Sequence, residues 1–148
     1  MPSPTRNQLQ IPTSVPTHQT HVELPAVAAA VPLARHHARN ALTAWGLDTV
    51  SVDAELLISE LVTNAVEATA KLPVLAPIEL NIAAYPGQLV LQVCDASPEL
   101  PAERPQSESA LNGRGLHIIR SISSAWGFAR EPGGKLVWAS LGLDQPAA

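Results

Sequence analysis

Glu60 and Asn64 stand four residues apart in a stretch with helical periodicity. That spacing puts both side chains on one face of a helix, with their Cβ atoms roughly 5–6 Å apart. A carboxylate and an amide oxygen so placed can hold Mg²⁺ or polarise a water for attack on a phosphate, because hard cations take oxygen ligands. The solvated edge of a helix is the simpler interpretation, and the pair taken alone favours it.

Asp95 stands at the end of a largely apolar run, residues 89–94, which predicts a strand. A partly buried carboxylate needs a hydrogen-bond donor, and the exocyclic amine of adenine is one candidate. Ser97 lies two residues further on, in the sequence Asp-Ala-Ser-Pro. That sequence is also typical of a turn initiated by its aspartate, so both interpretations stay open on these residues alone.

A third candidate is the sequence Gly113-Arg114-Gly115-Leu116, which follows a long loop and begins a predicted helix through Ser123. The free N–H groups and positive dipole of a helix N-terminus attract anions, and glycines let a phosphate approach the backbone. Arg114 can add a phosphate contact, although an exposed arginine is the ordinary interpretation at such a position. The sequence matches neither the dinucleotide-binding fingerprint nor a P-loop.

Two predicted helices must position the first of these residues. Helical spacing runs from Pro32 to a stop at Gly46, and again from about Ser51 to Ala70. Ser51 or one of its neighbours can cap the second helix. The second helix has one apolar arc made of Leu57, Ile58, Leu61, Val62, Ala65 and Ala68. A narrow polar stripe borders that arc and holds Glu60, Thr63, Asn64 and Glu67.

Strand patterns account for most of the remaining chain. Alternation predicts an edge strand at 21–24, a hairpin at 78–93 and a closing hairpin at 125–141, with Pro-Gly turns in both hairpins. The unpatterned segment 96–112 has the length of a functional lid or a disordered loop. This order of helices and strands predicts an α+β fold built as a two-layer sandwich.

Composition narrows the classes of function. The 148-residue chain is 46% hydrophobic and 15% charged, which is the balance of one globular domain. Its formal charge of −4 argues against a general nucleic-acid surface, which needs a basic patch. No apolar run has the length of a membrane span, and no signal segment is visible. The single Cys94 excludes an internal disulfide, so we expect a soluble, cytoplasmic protein.

Three segments, residues 59–66, 93–98 and 113–116, resemble in order and spacing the nucleotide-binding boxes of the histidine-kinase-like ATPase superfamily (GHKL). The short chain and its ending, residues 126–138, resemble the anti-sigma-factor serine/threonine kinase branch of actinobacterial type. The resemblance covers residues 20–143 and leaves tails at 1–19, expected to be flexible, and at 144–148. It implies the Bergerat-type ATP-binding fold, a two-layer α/β sandwich with helices on one face of a mixed, mostly antiparallel sheet.

The resemblance also implies roles for individual residues. Glu60 would be the general base, Asn64 the Mg²⁺ ligand, and Asp95 the residue that binds adenine N6, directly and through a water. The other ATP-binding residues that it implies are Ser97, Gly113, Arg114, Gly115 and Leu116. The implied cofactors are ATP and Mg²⁺. The implied partners are a sigma factor, an anti-sigma-factor antagonist protein, or both. No direct contact with nucleic acid or membrane is implied. A homodimer is one possible assembly.

Two positions depart from the pattern of the relatives. Glu67 and Ala68 stand where many relatives have a basic residue and a histidine, and Glu67 adds negative charge on the stripe of Glu60 and Asn64. Leu136 stands where relatives often have threonine. These departures keep open a non-catalytic function, in which ATP binding gates a protein partner. A structural domain that binds no nucleotide is the third alternative.

Overall fold

Five strands form one antiparallel sheet in the computed structural model, which describes residues 12–100 and 117–144. The strands are β1 (His18–Leu24), β2 (Ile78–Tyr85), β3 (Gln88–Asp95), β4 (Ala125–Glu131) and β5 (Gly134–Gly142). Their order across the sheet is β1-β2-β3-β5-β4. The last strand therefore lies between β3 and its own hairpin partner β4.

The helices cover one face of this sheet. They are α1 (Ala30–Ala44), a short 3₁₀ turn (Asp48–Val50), α2 (Ser51–Ala70) and a helical segment at 117–122. The inner helix is α2, because it packs against α1 and also against β2, β3 and β5. Alternate strand residues form the core with the helices: Leu80, Ile82, Leu89, Leu91, Val93, Val137, Ala139 and Leu141. No helix of the described ranges combines the length and hydropathy that crossing a membrane requires.

Both hairpins turn at a Pro-Gly pair. Pro86 and Gly87 join β2 to β3, and Pro132 and Gly133 join β4 to β5. Each of these glycines has a φ of 86°. That value belongs to the second central residue of a type II turn, where an L side chain is strained and proline is favoured one position earlier. The turn residues therefore close both hairpins and help to set the registers of their strands.

The predicted α+β sandwich is confirmed, with three local differences. The first strand begins at His18, earlier than the predicted 21–24. All strand pairs in the described residues are antiparallel, so the sheet there is not mixed. Ser51 does not cap α2: the N-cap is Val50, which makes no side-chain cap bond, and the Ser51 hydroxyl donates to Glu55 at 2.8 Å. The reason is that the 3₁₀ turn leads directly into the helix, which makes Ser51 its first residue.

Candidate functional site

The Asp95 carboxylate is buried at the C-terminal end of β3, with only 1% of its side chain exposed. Its Oδ1 accepts a hydrogen bond from the backbone N–H of Ser97 at 2.8 Å and another from the Lys135 ammonium at 2.9 Å. The bond from Ser97 is the local turn that the sequence Asp-Ala-Ser-Pro favours. Asp95 therefore both initiates a turn and is a buried carboxylate, and the donor that it needs is supplied within the chain.

Lys135 reaches Asp95 because β3 and β5 pair in a fixed register. The two residues are directly opposite each other, and opposite residues project from the same face of a sheet. Two positions along the strands, Val93 lies opposite Val137, and both belong to the core beneath the helices. The ion pair is therefore on the helix-covered face. Because only 2% of the Lys135 side chain is exposed, both charges are buried.

Sequence reasoning did not identify Lys135 as a site residue. Its partner Asp95 stands 40 residues earlier in the chain. A helical segment and another strand lie between the two residues, so no local pattern places the lysine opposite Asp95. One signal was available: Lys135 begins an otherwise apolar run, residues 135–139. A charge at the end of an apolar strand is the same signal that indicated Asp95.

Gly134 lets the two strands approach closely at the ion pair. A Cβ on Gly134 would lie 1.8 Å from the carbonyl oxygen of Asp95 and 2.8 Å from its carbonyl carbon. Any side chain there would force backbone atoms apart. The neighbouring Gly133 differs, because a Cβ on it would meet nothing within 4 Å and only its φ of 86° favours glycine.

The buried side of α2 carries Asn64, which is 8% exposed. This helix packs against β3 and β5, and Asp95 lies on the sheet face that the helix covers. Glu60, one turn earlier, is half-buried. A solvated helix edge therefore does not describe Asn64 and describes Glu60 only in part.

Glu60 is in an environment that disfavours its charge. Burial raises the pKa of its carboxyl above the ordinary value for glutamate, and the nearby Glu67 carboxylate raises it further by repulsion. A carboxylate with a raised pKa is a stronger base than an exposed one. The electrostatics at Glu60 thus suit the general-base role that the resemblance implies.

The segment that follows β3 is anchored to the protein up to residue 100. Ser97 is buried, and its hydroxyl accepts a hydrogen bond from the backbone N–H of Glu99 at 3.2 Å. The Glu99 carboxylate pairs with Lys71, the residue after α2, at 3.5 Å. Leu100 is buried. Ser97 therefore has a structural role in this segment, and its predicted contact with ATP stays a prediction.

Four of the predicted ATP-binding residues lie outside the described residues: Gly113, Arg114, Gly115 and Leu116. Most of the predicted loop 96–112 lies outside them as well, so these roles stay predictions. Within 12–100 and 117–144, no group of three or more His, Cys, Asp or Glu side chains could hold a metal ion. A single amide ligand such as Asn64 suits Mg²⁺, which usually takes one or two protein oxygens and completes its shell with phosphate and water.

The side chains next to the ion pair, Cys94 and Leu136, project from the other face of the sheet. They lie opposite each other in the same register, one position from the ion pair, and successive side chains alternate faces. Burial raises the pKa of the Cys94 thiol to about 12, with neighbouring acidic residues adding to the shift, so the thiol stays protonated at neutral pH. Leu136, where relatives often have threonine, does not share a face with Asp95, whereas Lys135 does.

Two clefts in the described part of the chain differ in whether Asp95 and Lys135 line them. A cleft of about 260 Å³ opens at the end of the sheet and is lined in part by Asp95 and Lys135. A larger, mainly apolar groove of about 650 Å³ lies between the segment after β1 and the loop after α2, and its lining includes none of the predicted site residues. The smaller cleft is also lined by Glu79, Cys94 and Glu131 and by no residue of α2, so it lies toward the other face of the sheet. We therefore assign the candidate site to Asp95 and the sheet face that α2 covers.

Comparison with known protein families identifies the class to which this fold and site belong. The family model of the histidine kinase-like ATPase domain matches residues 24–141, from the end of β1 into β5. The chain therefore belongs to the histidine kinase-like ATPase family, and the predicted superfamily is confirmed.

A solved structure shows the same fold. The chain is similar to the crystal structure of the RsbU and RsbW domains of Rv1364c from Mycobacterium tuberculosis, with a TM-score of 0.63 and 24% sequence identity. The match covers 90% of this chain and 34% of that one, so this chain spans about a third of the length of that protein. No curated protein matches the sequence significantly.

We expect Gly134→Ala to disturb the Asp95 end of β3, whereas Gly133→Ala should only weaken the turn. The first substitution forces a Cβ against the Asp95 backbone, and such overpacking costs about 1–3 kcal/mol of unfolding free energy or more. The second strains a positive φ, at about 1–2 kcal/mol. Urea denaturation measures both losses, and hydrogen exchange of the Ser97 amide reports on the bond to Asp95. Faster exchange of the Ser97 amide in Gly133→Ala than in Gly134→Ala would contradict the close approach of Gly134 to the Asp95 backbone.

We expect Glu60→Gln to be more stable than the wild type at pH 7 but not at pH 4. The raised pKa of folded Glu60 means that ionisation disfavours folding. That penalty is absent below the ordinary glutamate pKa of about 4.3 and develops as the pH rises through the raised folded value. Thermal melting at both pH values measures the difference. Glu67→Gln is the matched variant and should act in the same direction with a smaller effect, and lower stability of Glu60→Gln at pH 7 would contradict the assignment.

Proposed function

We propose that this protein binds Mg-ATP beside Asp95 and transfers the γ-phosphoryl group to a serine or threonine of a protein antagonist, as a kinase of the anti-sigma-factor type. The observation that carries the proposal is the buried Asp95 carboxylate, which ends β3 on the sheet face covered by α2. Membership of the histidine kinase-like ATPase family supports ATP as the ligand. The likeness to a structure that contains an RsbW domain, together with the sequence resemblance, supports the anti-sigma-factor branch.

Each proposed role follows from the chemistry of the side chain. The Asp95 carboxylate would accept a hydrogen bond from the exocyclic amine of adenine. The Asn64 amide oxygen would hold Mg²⁺, which would neutralise phosphate charge. Glu60 takes the proton of the attacking serine or threonine hydroxyl. The hydroxyl oxygen bonds to the γ-phosphorus while the bond from the γ-phosphorus to the bridging oxygen breaks, and ADP is released. The predicted helix N-terminus holds the phosphates through Gly113, Arg114, Gly115 and Leu116.

The partners belong to the same proposal. A sigma factor and an anti-sigma-factor antagonist are the proteins that such a kinase would bind, in the cytoplasm and as a monomer or a homodimer. The acidic net charge of −4 is consistent with protein partners rather than a nucleic acid.

A second function, ATP-gated protein binding without catalysis, is favoured by two observations. Glu67 adds negative charge beside Glu60, where the γ-phosphate would approach. The Lys71–Glu99 ion pair joins the segment after β3 to the end of α2, which offers a route from the nucleotide to the helix surface. Hydrogen exchange of residues 96–112 with and without ATP, measured beside phosphate transfer, separates the two functions. ATP-dependent protection without transfer would favour the second.

Asp95→Ala should abolish ATP binding, with affinity reduced at least about a hundredfold, because a site built around a hydrogen bond loses most of its affinity without it. Isothermal calorimetry measures the affinity, and circular dichroism confirms that the variant is folded. Cys94→Ser is the matched control, since that side chain lies on the other sheet face. Unchanged ATP affinity in folded Asp95→Ala would refute the adenine assignment.

Glu60→Gln should reduce phosphoryl transfer by about a hundredfold or more while ATP affinity changes little, because only the proton acceptor is lost. Transfer of γ-labelled phosphate from ATP to a candidate anti-sigma-factor antagonist measures the rate. Glu67→Gln, on the same helix stripe, should retain transfer. Equal rates for wild type and Glu60→Gln would remove Glu60 from the base role.

A further inference from the structure

The buried ion pair places the Lys135 side chain at the Asp95 carboxylate, where the adenine ring of ATP would bind. The Lys135 Nζ lies 2.9 Å from the Asp95 Oδ1, and both side chains are almost completely buried. The lysine stem therefore lies on the helix-covered face beside the carboxylate.

A purine amine is the weaker of two competing donors at this carboxylate. The Lys135 ammonium forms a hydrogen bond between two charged groups, and such bonds are about twice as strong as those between neutral groups. The exocyclic amine of adenine is neutral. An adenine ring that approaches Asp95 on this face must therefore separate the Lys135 ammonium from the carboxylate or share the carboxylate with it.

The geometry allows the lysine head group to leave while the strand stays in place. β5 is fixed by hydrogen bonding to β3 on one side and β4 on the other. The four-carbon stem of lysine is flexible, so its head group can be displaced by side-chain rotation alone. The ion pair is thus a reversible contact inside a rigid sheet.

We propose that Lys135 is an affinity-determining residue of the base pocket, whose ammonium holds Asp95 until a nucleotide displaces it. This inference rests on the proposed ATP-binding function and adds a residue that competes with the nucleotide for Asp95 and that the nucleotide displaces. Part of the binding free energy of each nucleotide is consumed in separating the ion pair. The affinity for ATP is therefore lower than that of the same pocket without the lysine.

The first test is calorimetric titration of ATP into the wild type and Lys135→Thr. Threonine vacates the space of the stem and leaves Asp95 to the purine amine, so we expect binding at least about tenfold tighter. The gain should disappear in the double variant Lys135→Thr with Asp95→Ala, a dependence that a general change in folding would not produce. If the wild type binds ATP and folded Lys135→Thr binds equally or more weakly, the inference is wrong and the proposed function stands.

The second test needs no variant, because the chain has only two lysines, Lys71 and Lys135. Lys71 is 43% exposed and serves as the reference for amine acylation followed by mass spectrometry. Without nucleotide, Lys135 should be strongly protected relative to Lys71, and saturating Mg-ATP should raise its modification. Equal modification of both lysines without nucleotide, or no rise with bound ATP, would overturn the inference even if Lys135→Thr does not fold. Protected Lys135 in a protein that binds no ATP in any variant would instead refute the proposed function.

Discussion

The pairing of β3 with β5 joins two strands that are distant along the chain, and its register determines which side chains meet at the end of the sheet. A shift of one residue would turn Lys135 to the opposite face and bring Leu136 to the side of Asp95. The core prevents that shift, because Val137 and the other inward-facing residues of β5, Ala139 and Leu141, would leave the hydrophobic layer beneath α2 at the same time. Hydrophobic burial along the strands thus fixes the geometry of the charged groups at their end.

The same register explains why two buried charges are tolerated. Removing a carboxylate and an ammonium from water costs several kcal/mol for each ion, and only close pairing with additional hydrogen bonds offsets that cost. Here the pairing distance is 2.9 Å, and the Ser97 amide adds a further bond to the same oxygen. Removing either charge alone would leave the other uncompensated, which typically costs about 3–5 kcal/mol. A ligand that separates the pair must therefore replace the lost contact, and a purine amine at Asp95 is a donor of the right chemistry.

Local sequence patterns predicted most of the fold. The apolar arc and polar stripe of α2 gave its bounds, and the Pro-Gly pairs gave both hairpins, because these features are encoded within a few residues. The same local patterns marked Asn64 and Asp95 as candidates but left a solvated helix edge and a turn as alternatives. The structure shows both residues to be buried on facing elements. Lys135 was missed because its significance arises from strand order β1-β2-β3-β5-β4, which pairs residues 40 positions apart. No side chain caps α2, although Ser51 or one of its neighbours was expected to do so, because the 3₁₀ turn before α2 has no distinctive sequence signal.

The residues proposed for adenine binding and for proton transfer lie on different elements of this fold. The carboxylate and ammonium that govern the proposed base pocket lie on β3 and β5, whereas Glu60, Asn64 and Glu67 lie on α2. The threonine that relatives often have at the position of Leu136 would project from the other face of the sheet, so its absence bears little on Asp95. In the proposed mechanism, turnover of ATP therefore depends chiefly on the charges along the helix, where Glu67 opposes the ionisation of Glu60. Because the proposed base Glu60 is on a different element from Asp95, a substitution of Glu60 can abolish the proposed transfer and leave the proposed adenine contact intact.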